Sequence, residues 1–172
     1  MSTTMDTARE VYVTGLRNQH AIENQAIELL ERQIGRLENY PEMASRMRQH
    51  LEESKQQAAR IEDLLAGMNT SHSSLKDMVT SFMGNVAALG HASASDEVIK
   101  NTFANYAFEH YEIASYQSLL VVAELAGQQA STSVLQQSLK EEQSMARWIE
   151  DNLKPTMLRY VERYASGDTA GR

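Results

Sequence analysis

The chain contains 172 residues, no cysteine and two prolines, and its formal net charge is −7. This length suits one domain, and the absence of cysteine excludes disulfides, zinc–thiolate sites and cysteine nucleophiles. The acidic charge disfavours nucleic acid and anionic membranes as partners, and no apolar run approaches the roughly 20 residues of a membrane span.

The scarcity of proline and glycine leaves an all-β domain without its turns, so we expect an all-α protein. One domain is predicted over residues 1–172, with an ordered core at about 7–165 and flexible tails at 1–6 and 166–172. The N-terminus lacks the basic and apolar regions of a signal peptide, so we expect a cytoplasmic location.

The first part of the chain predicts a helical hairpin. Apolar residues recur at helical spacing over about residues 7–39, where the first helix is expected. Tyr40-Pro41 breaks this helix, because the residue before proline avoids the helical region. Pro41 then suits the first turn of a second helix, which is predicted to end at Gly67. Since almost nothing joins the two helices, they must be antiparallel.

The second part of the chain predicts a short helix and then another hairpin. The short helix is expected at about Leu75–Leu89, followed by the small-residue linker HASAS. A fourth helix is predicted from a cap at Ser95 to about Leu125, and a last one from about Thr132 to Tyr164.

These elements favour an all-α, ferritin-like four-helix bundle. Its two antiparallel hairpins are joined by one long crossover, in which the additional short helix lies. An up-down-up-down bundle, with the short helix as a decoration, is the alternative.

Two segments of the chain resemble each other, LEESKQQAARIED from Leu51 and LKEEQSMARWIED from Leu139. They align without a gap at a spacing of 88 residues, which pairs Glu53 with Glu141. The first and fourth helices show a weaker similarity, QHAIENQAIELL against EHYEIASYQSLL. We therefore expect two hairpins related by a pseudo-twofold axis, although low sequence complexity also produces similarity of this kind.

Polar groups interrupt the apolar stripes of all four long helices when residues are placed at about 100° per residue. His50 and Glu109 fall near the centres of their stripes. On the last helix the stripe favours Glu142 as the inward residue, whereas the repeat favours Glu141. Four carboxylates cannot share a dry core unless protons or cations neutralise them.

Glutamate and histidine together suit iron, manganese or zinc, and paired carboxylates can bridge two ions. We therefore predict a metal site for Fe, Mn or Zn, with one or two ions. Its candidate ligands are Glu23, His50, Glu53, Glu109, Glu112 and Glu142. The usual di-iron bundle has two Glu-x-x-His motifs, and this sequence has none. The second helix carries the reverse order, and the last helix has no histidine, which weakens redox di-iron chemistry more than metal binding.

Each candidate also has an ordinary structural explanation. Isolated glutamates on long helices are usually solvated. His50 could be a hydrogen-bonded core residue, and Glu112 could pair with a basic residue on a neighbouring helix. Tyr116 is more often a packing residue than part of a redox relay. The remaining histidines expected at the surface or in loops are His20, His72 and His91.

Four segments resemble the bacterial ferritin-like family that includes the stress proteins YciE and YciF: ENQAIELLERQ, HLEESKQQAARIEDL, FEHYEIASYQSL and LKEEQSMARWIEDNL. The resemblance covers about Val11 to Tyr164, and its most specific part is E-H-Y-E-I-A-x-Y from Glu109. It implies a dimer of rubrerythrin-related bundles, a carboxylate-rich site for up to two metal ions, and expression under stress in the bacterial cytoplasm. It implies no defined biochemical activity.

The resemblance also assigns site positions. Those that match the family's motifs are Glu23, His50 with Glu53, Glu109 with Glu112, and Glu141 with Glu142. Family members can carry a further acidic residue one turn later, where this chain has Met145 and Ala146. One side of the site is therefore expected to be short of ligands.

Two functional hypotheses follow. The first is a ferritin-like stress-response protein whose metal site oxidises Fe(II) or consumes peroxide. The second is a metal-free dimeric structural or interaction protein with a degenerate site. In both hypotheses a homodimer is expected, because some apolar residues exceed what one bundle can cover. These residues include Val13, Ile27, Met78, Phe82 and Met83.

Overall fold

The computed structural model describes residues 3–68 and 95–171 of the chain. Four long helices account for most of them: α1 Thr4–Ile34, α2 Pro41–Gly67, α3 Glu97–Leu125 and α4 Thr132–Ala165. A short 3-10 turn, Gln129–Ser131, precedes α4. The short helix predicted at Leu75–Leu89 lies outside the described residues, as do His72 and His91. Within residues 3–68 and 95–171, no helix could span a lipid bilayer.

The ends of the first two helices show which local signals were decisive. α2 begins at Pro41 and ends at Gly67, as predicted, because proline fits the first helical position without an N–H to donate. α1 instead begins three residues before the predicted start. Thr3 accepts a hydrogen bond from the backbone of Asp6, whose carboxylate accepts one from the Thr3 backbone, and this capping box satisfies two orphan donors. α1 also ends before the predicted position, at Ile34.

The helices pair in the ferritin-like order. α1 packs on α2 and α3 on α4, each as an antiparallel hairpin with a short connection. α2 and α3 run parallel, because Met43 and Val98 near their starts share one apolar cluster. Leu65 and Ala123 near their ends share another. Parallel helices need a connection between opposite ends of the bundle, so the ferritin-like bundle is confirmed and the up-down-up-down alternative is wrong.

The core contains two large apolar clusters with a polar layer between them, and a smaller third cluster is formed by Ile22, Ala26 and Phe108. One cluster gathers residues around Leu16, Ile61 and Leu135, and the other lies at the opposite end around Met47 and Ile149. Between them the four helices bury glutamate, glutamine, serine and histidine side chains. Buried polar groups are costly without partners, so this layer is the part of the fold that needs a chemical explanation.

The C-terminal segment, for which a flexible tail is predicted, makes hydrogen bonds to the bundle. At Gly167 the backbone takes a φ of 75°, which glycine adopts without strain, just after α4 ends. The hydroxyl of Tyr40 donates a hydrogen bond to the carbonyl of Ala170 at 2.6 Å. The backbone N–H of Val98 donates to the carbonyl of Gly171 at 2.9 Å. These partners lie far away in the sequence, so composition could not reveal them.

Candidate metal centre

Five of the six predicted ligands are buried in the polar layer. They come from all four helices and are at most 3% exposed; the five are Glu23, His50, Glu109, Glu112 and Glu142. Each lies on the inward stripe of its helix, so the packing of α1 to α4 brings them to one level of the bundle. Glu53, the sixth, lies at the edge of the layer.

Three of these side chains converge on a common point. His50 Nε2 lies 3.2 Å from Glu109 Oε2 and 3.6 Å from Glu142 Oε2. One donor atom from each of the three residues lies within 4.8 Å of the other two. α2, α3 and α4 each contribute one donor, so the group depends on the packing of both hairpins.

The choice between the two neighbouring glutamates of α4 is clear in the structure. Glu142 is fully buried and faces His50, as the stripe predicted. Glu141 turns to α2, where its oxygens accept from the Arg60 guanidinium at 2.7 and 3.0 Å. Gln57 also donates to Glu141, at 3.0 Å. The repeat therefore suggested the wrong residue for the inward position.

Glu53 contacts His50 on the other ring nitrogen. Its Oε2 lies 3.0 Å from His50 Nδ1 and accepts from Arg46 Nη1 at 3.1 Å. Its Oε1 accepts from Gln49 at 2.8 Å. Burial alone would raise the pKa of Glu53, but the hydrogen bond with His50 and the charge of Arg46 together lower it to about 2. Glu53 is therefore an ionised carboxylate in the physiological range.

Glu23 is held by two neighbours. Gln19 Nε2 donates to Glu23 Oε1 at 2.8 Å, and the buried hydroxyl of Tyr116 donates to the same oxygen at 2.5 Å. Burial raises the pKa of Glu23 to about 7, against these two hydrogen bonds, which lower it.

The remaining charges of the layer oppose one another. Burial and then the charge of Glu142 hold the pKa of Glu112 well above its ordinary value. Burial and then the charge of Glu109 do the same for Glu142. Burial lowers the pKa of His50, but the charge of Glu109 leads the contributions that outweigh it, so that pKa lies well above the ordinary value. A bound cation would relieve this repulsion.

Several carboxylate oxygens of the layer lack hydrogen-bond partners, and this also suits a metal site. Neither oxygen of Glu142 has a hydrogen-bond partner among the described residues, and the same holds for Glu112 Oε1 and Glu23 Oε2. Buried oxygens of this kind are rare without water, a proton or an ion. One imidazole nitrogen with several carboxylate oxygens is a donor set that suits iron, manganese or zinc.

Sequence reasoning missed some residues of the layer and misplaced one histidine. Tyr116 shares the stripe of Glu109 and Glu112, but it was interpreted as packing. His20 was expected at the surface, yet it is 9% exposed, and its Nε2 lies 2.7 Å from Glu62 Oε1 on α2. The apolar pattern indicated the direction of Tyr116 but not that of His20, and it revealed neither residue's polar partner on another helix.

Comparisons with known proteins agree with this architecture. Residues 7–162 match the model of a family described as a domain of unknown function, DUF892. The chain is similar to Protein YciF of Escherichia coli K12, with 29% identity over 151 residues, 81% of this chain and 86% of that protein. A crystal structure of a Xanthomonas campestris protein superposes with a TM-score of 0.77 at 32% identity, over 92% of this chain and 99% of that one. The crystal structure of the E. coli stress protein YciF superposes with a TM-score of 0.73 at 23% identity, over 89% and 96%.

Proposed function

We propose that this chain, which belongs to the DUF892 family, holds a metal ion in the polar layer of its bundle. His50, Glu109 and Glu142 are the primary ligands. The observation that carries the proposal is the convergence of their donor atoms within 4.8 Å in a buried layer. Fe is the expected metal, with Mn or Zn as the other ions that this donor set accepts.

A second ion is proposed beside the first. Glu23 and Glu112 supply carboxylate oxygens there, and two of these oxygens have no hydrogen-bond partner in the described part of the chain. We expect weaker binding at this position. One turn beyond Glu142, α4 carries Met145, which is a poor ligand for these ions where the usual di-iron bundle has histidine.

The proposed role is that of a cytoplasmic stress-response protein that handles iron or peroxide. Support comes from the similarity to Protein YciF of E. coli, at 29% identity over most of both chains; YciF is named as a stress protein. A bound metal would supply redox chemistry toward Fe(II), oxygen or peroxide. The chain itself holds the donors, excludes bulk water by the apolar clusters on both sides, and fixes His50 and Glu23 by hydrogen bonds.

Metal analysis with matched variants tests this proposal. Protein purified without chelators should contain at least one equivalent of metal, and metal-free protein should take up Fe(II) and Mn(II) in calorimetry. Glu142→Gln should abolish this uptake, because it removes a charged donor and keeps the volume. Glu141→Gln is the control, since Glu141 binds Arg60 and should leave uptake unchanged.

Two results would contradict the metal site. One is wild-type protein that takes up neither ion, and the other is a Glu142→Gln variant with full metal content. The first result would favour the metal-free scaffold hypothesis, and the second would show that the bound metal does not depend on Glu142.

The chain is also proposed to form a homodimer. Val13 packs against the apolar cluster around Leu16, so it does not supply the expected exposed surface. An uncharged groove between α1 and α3 offers one instead, with Val11 and Tyr111 half exposed along it. Light scattering should give twice the chain mass of 19.3 kDa, and Tyr111→Glu should shift the protein to the single-chain mass.

A further inference from the structure

A histidine that binds a metal through Nε2 must carry its proton on Nδ1. That proton needs an acceptor, which fixes both the tautomer and the orientation of the ring. In the proposed site, His50 Nε2 faces Glu109 and Glu142. The residue that faces Nδ1 therefore controls the tautomer and the orientation in which His50 meets the ion.

Glu53 occupies this position. Its Oε2 lies 3.0 Å from His50 Nδ1, one helical turn further along α2. Arg46, 10% exposed at its side chain, donates to the same oxygen at 3.1 Å from one turn before His50. The carboxylate is thus fixed between a cation and the imidazole.

A direct ligand role fits Glu53 less well. Both of its oxygens already accept hydrogen bonds, Oε2 from Arg46 and Oε1 from Gln49. Its side chain is 20% exposed, whereas His50 is 1% exposed. The donor atoms that converge belong to His50, Glu109 and Glu142, and Glu53 is not among them.

We infer that Glu53 is a positioning residue of the metal site: it accepts the Nδ1 proton of His50, and Arg46 holds it in place, so that Nε2 points to the ion. This assignment rests on the proposed function. It replaces the sequence-based prediction that Glu53 is itself a ligand.

The repeat supplies a matched control. Glu141 stands 88 residues after Glu53, and the two side chains are 19% and 20% exposed. Each also pairs with an arginine of α2. Glu141, however, has a hydrogen-bonded serine, Ser138, near its arginine where Glu53 has a histidine. Removal of Glu141 therefore imposes a similar loss of an ion pair without touching an imidazole.

Zinc is a suitable probe because it has no redox chemistry and is diamagnetic. Zn(II) affinity and stoichiometry would be measured by calorimetry for wild type, Glu53→Ala, Glu53→Gln and Glu141→Ala. The nitrogen of His50 that binds zinc would be identified by long-range ¹H–¹⁵N NMR correlations. Circular dichroism would confirm that each variant remains helical.

Glu53→Ala should weaken Zn(II) binding roughly 10- to 100-fold, as expected when an outer partner of a metal-bound histidine is removed, with unchanged stoichiometry. NMR should then show a loss of exclusive Nε2 coordination. Glu53→Gln, which keeps an acceptor oxygen, should lose less affinity, and Glu141→Ala should match wild type.

Two results would overturn the positioning role while leaving the metal site intact. The first is a Glu53→Ala variant with wild-type affinity and Nε2 coordination. The second is a variant that loses a whole equivalent of zinc, which would make Glu53 a ligand. If wild-type protein takes up no zinc, the proposed function fails and this assignment fails with it.

Discussion

The two hairpins use the same carboxylate position for different purposes. In the first hairpin, Glu53 follows His50 by one turn and pairs with Arg46 of its own helix. In the second, Glu141 follows Ser138 by one turn and binds Arg60 of the neighbouring helix. The two repeats differ at the partner positions: His50 and Arg46 of the first correspond to Ser138 and Val134 of the second. Glu53 therefore contacts an imidazole of its own helix, whereas Glu141 joins two helices.

A second pair of equivalent positions shows the same division. Ser54 and Glu142 are separated by the same 88 residues. Ser54 is buried and donates to the carbonyl of His50 at 3.1 Å, which satisfies its hydroxyl locally. Glu142 is buried with both oxygens lacking a hydrogen-bond partner in the described chain. The converging donors thus combine different positions from the two repeats, and the site is asymmetric although the hairpins are similar.

The largest expected effect comes from making the first hairpin resemble the second. His50→Ser should weaken Zn(II) binding by more than about 100-fold, because it removes a ligand rather than the partner of one. Equilibrium dialysis would measure the effect, with Ser138→Ala as the control at the equivalent position. If His50→Ser binds zinc as tightly as wild type does, the difference between His50 and Ser138 has no bearing on metal binding.

The next effect is the pH dependence of stability, which should have opposite signs for the buried Glu23 and for Glu53. The pKa of Glu23 rises from the ordinary value of 4.5 to about 7 on folding. Its stabilising contribution is therefore complete below pH 4.5 and is lost as the pH rises through about 7. In chelator-treated protein, the urea midpoint should fall between about pH 5 and about pH 8.

Glu53 should act in the opposite direction. Folding lowers its pKa to about 2, so its contribution is present above the ordinary value of 4.5 and is lost as the pH falls towards 2.

The variant Glu23→Gln tests the first of these two pH effects. Because its side chain cannot ionise, the fall of the urea midpoint between about pH 5 and about pH 8 should be smaller than in wild type. Glu141→Gln is the control and should keep the wild-type fall. If the urea midpoint of Glu23→Gln falls with rising pH as much as that of wild type, Glu23 is not the group responsible.

The smallest effect compares the two arginines. Arg60→Ala should lower the free energy of unfolding by about 1–2 kcal/mol, because it breaks a largely buried, bidentate pair between α2 and α4. Arg46→Ala should cost about 1 kcal/mol, since a single hydrogen bond joins Arg46 to Glu53 on the same helix. Urea unfolding would measure both. Equal losses of unfolding free energy in the two variants would mean that the ion pair between α2 and α4 stabilises the fold no more than the pair within α2.

The sequence predicted directions better than partners. The apolar stripe placed Glu142 inward, and Pro41 and Gly67 defined α2, because helical periodicity and backbone preferences act over a few residues. The ferritin-like order followed from the short hairpin connections. The contact of Arg60 with Glu141 and that of His20 with Glu62 join residues from different helices, so no local pattern encodes them.

The interpretation of the site had the same limit. Spacing indicated that Glu53 lies near His50, but not which nitrogen of the ring it faces. That distinction depends on the side-chain conformation and on Arg46, which lies seven residues before Glu53. The C-terminal segment gave no signal, because its partners Tyr40 and Val98 lie in other parts of the chain.

The position of the converging donors between hairpins has a consequence for the order of folding. His50 belongs to the first hairpin, and Glu109 and Glu142 belong to the second. Each hairpin can form through local contacts, but the complete donor set exists only after the two have docked. An ion that binds there would bind only the docked state and would therefore stabilise it. The free energy of unfolding would then rise with the logarithm of the ion concentration.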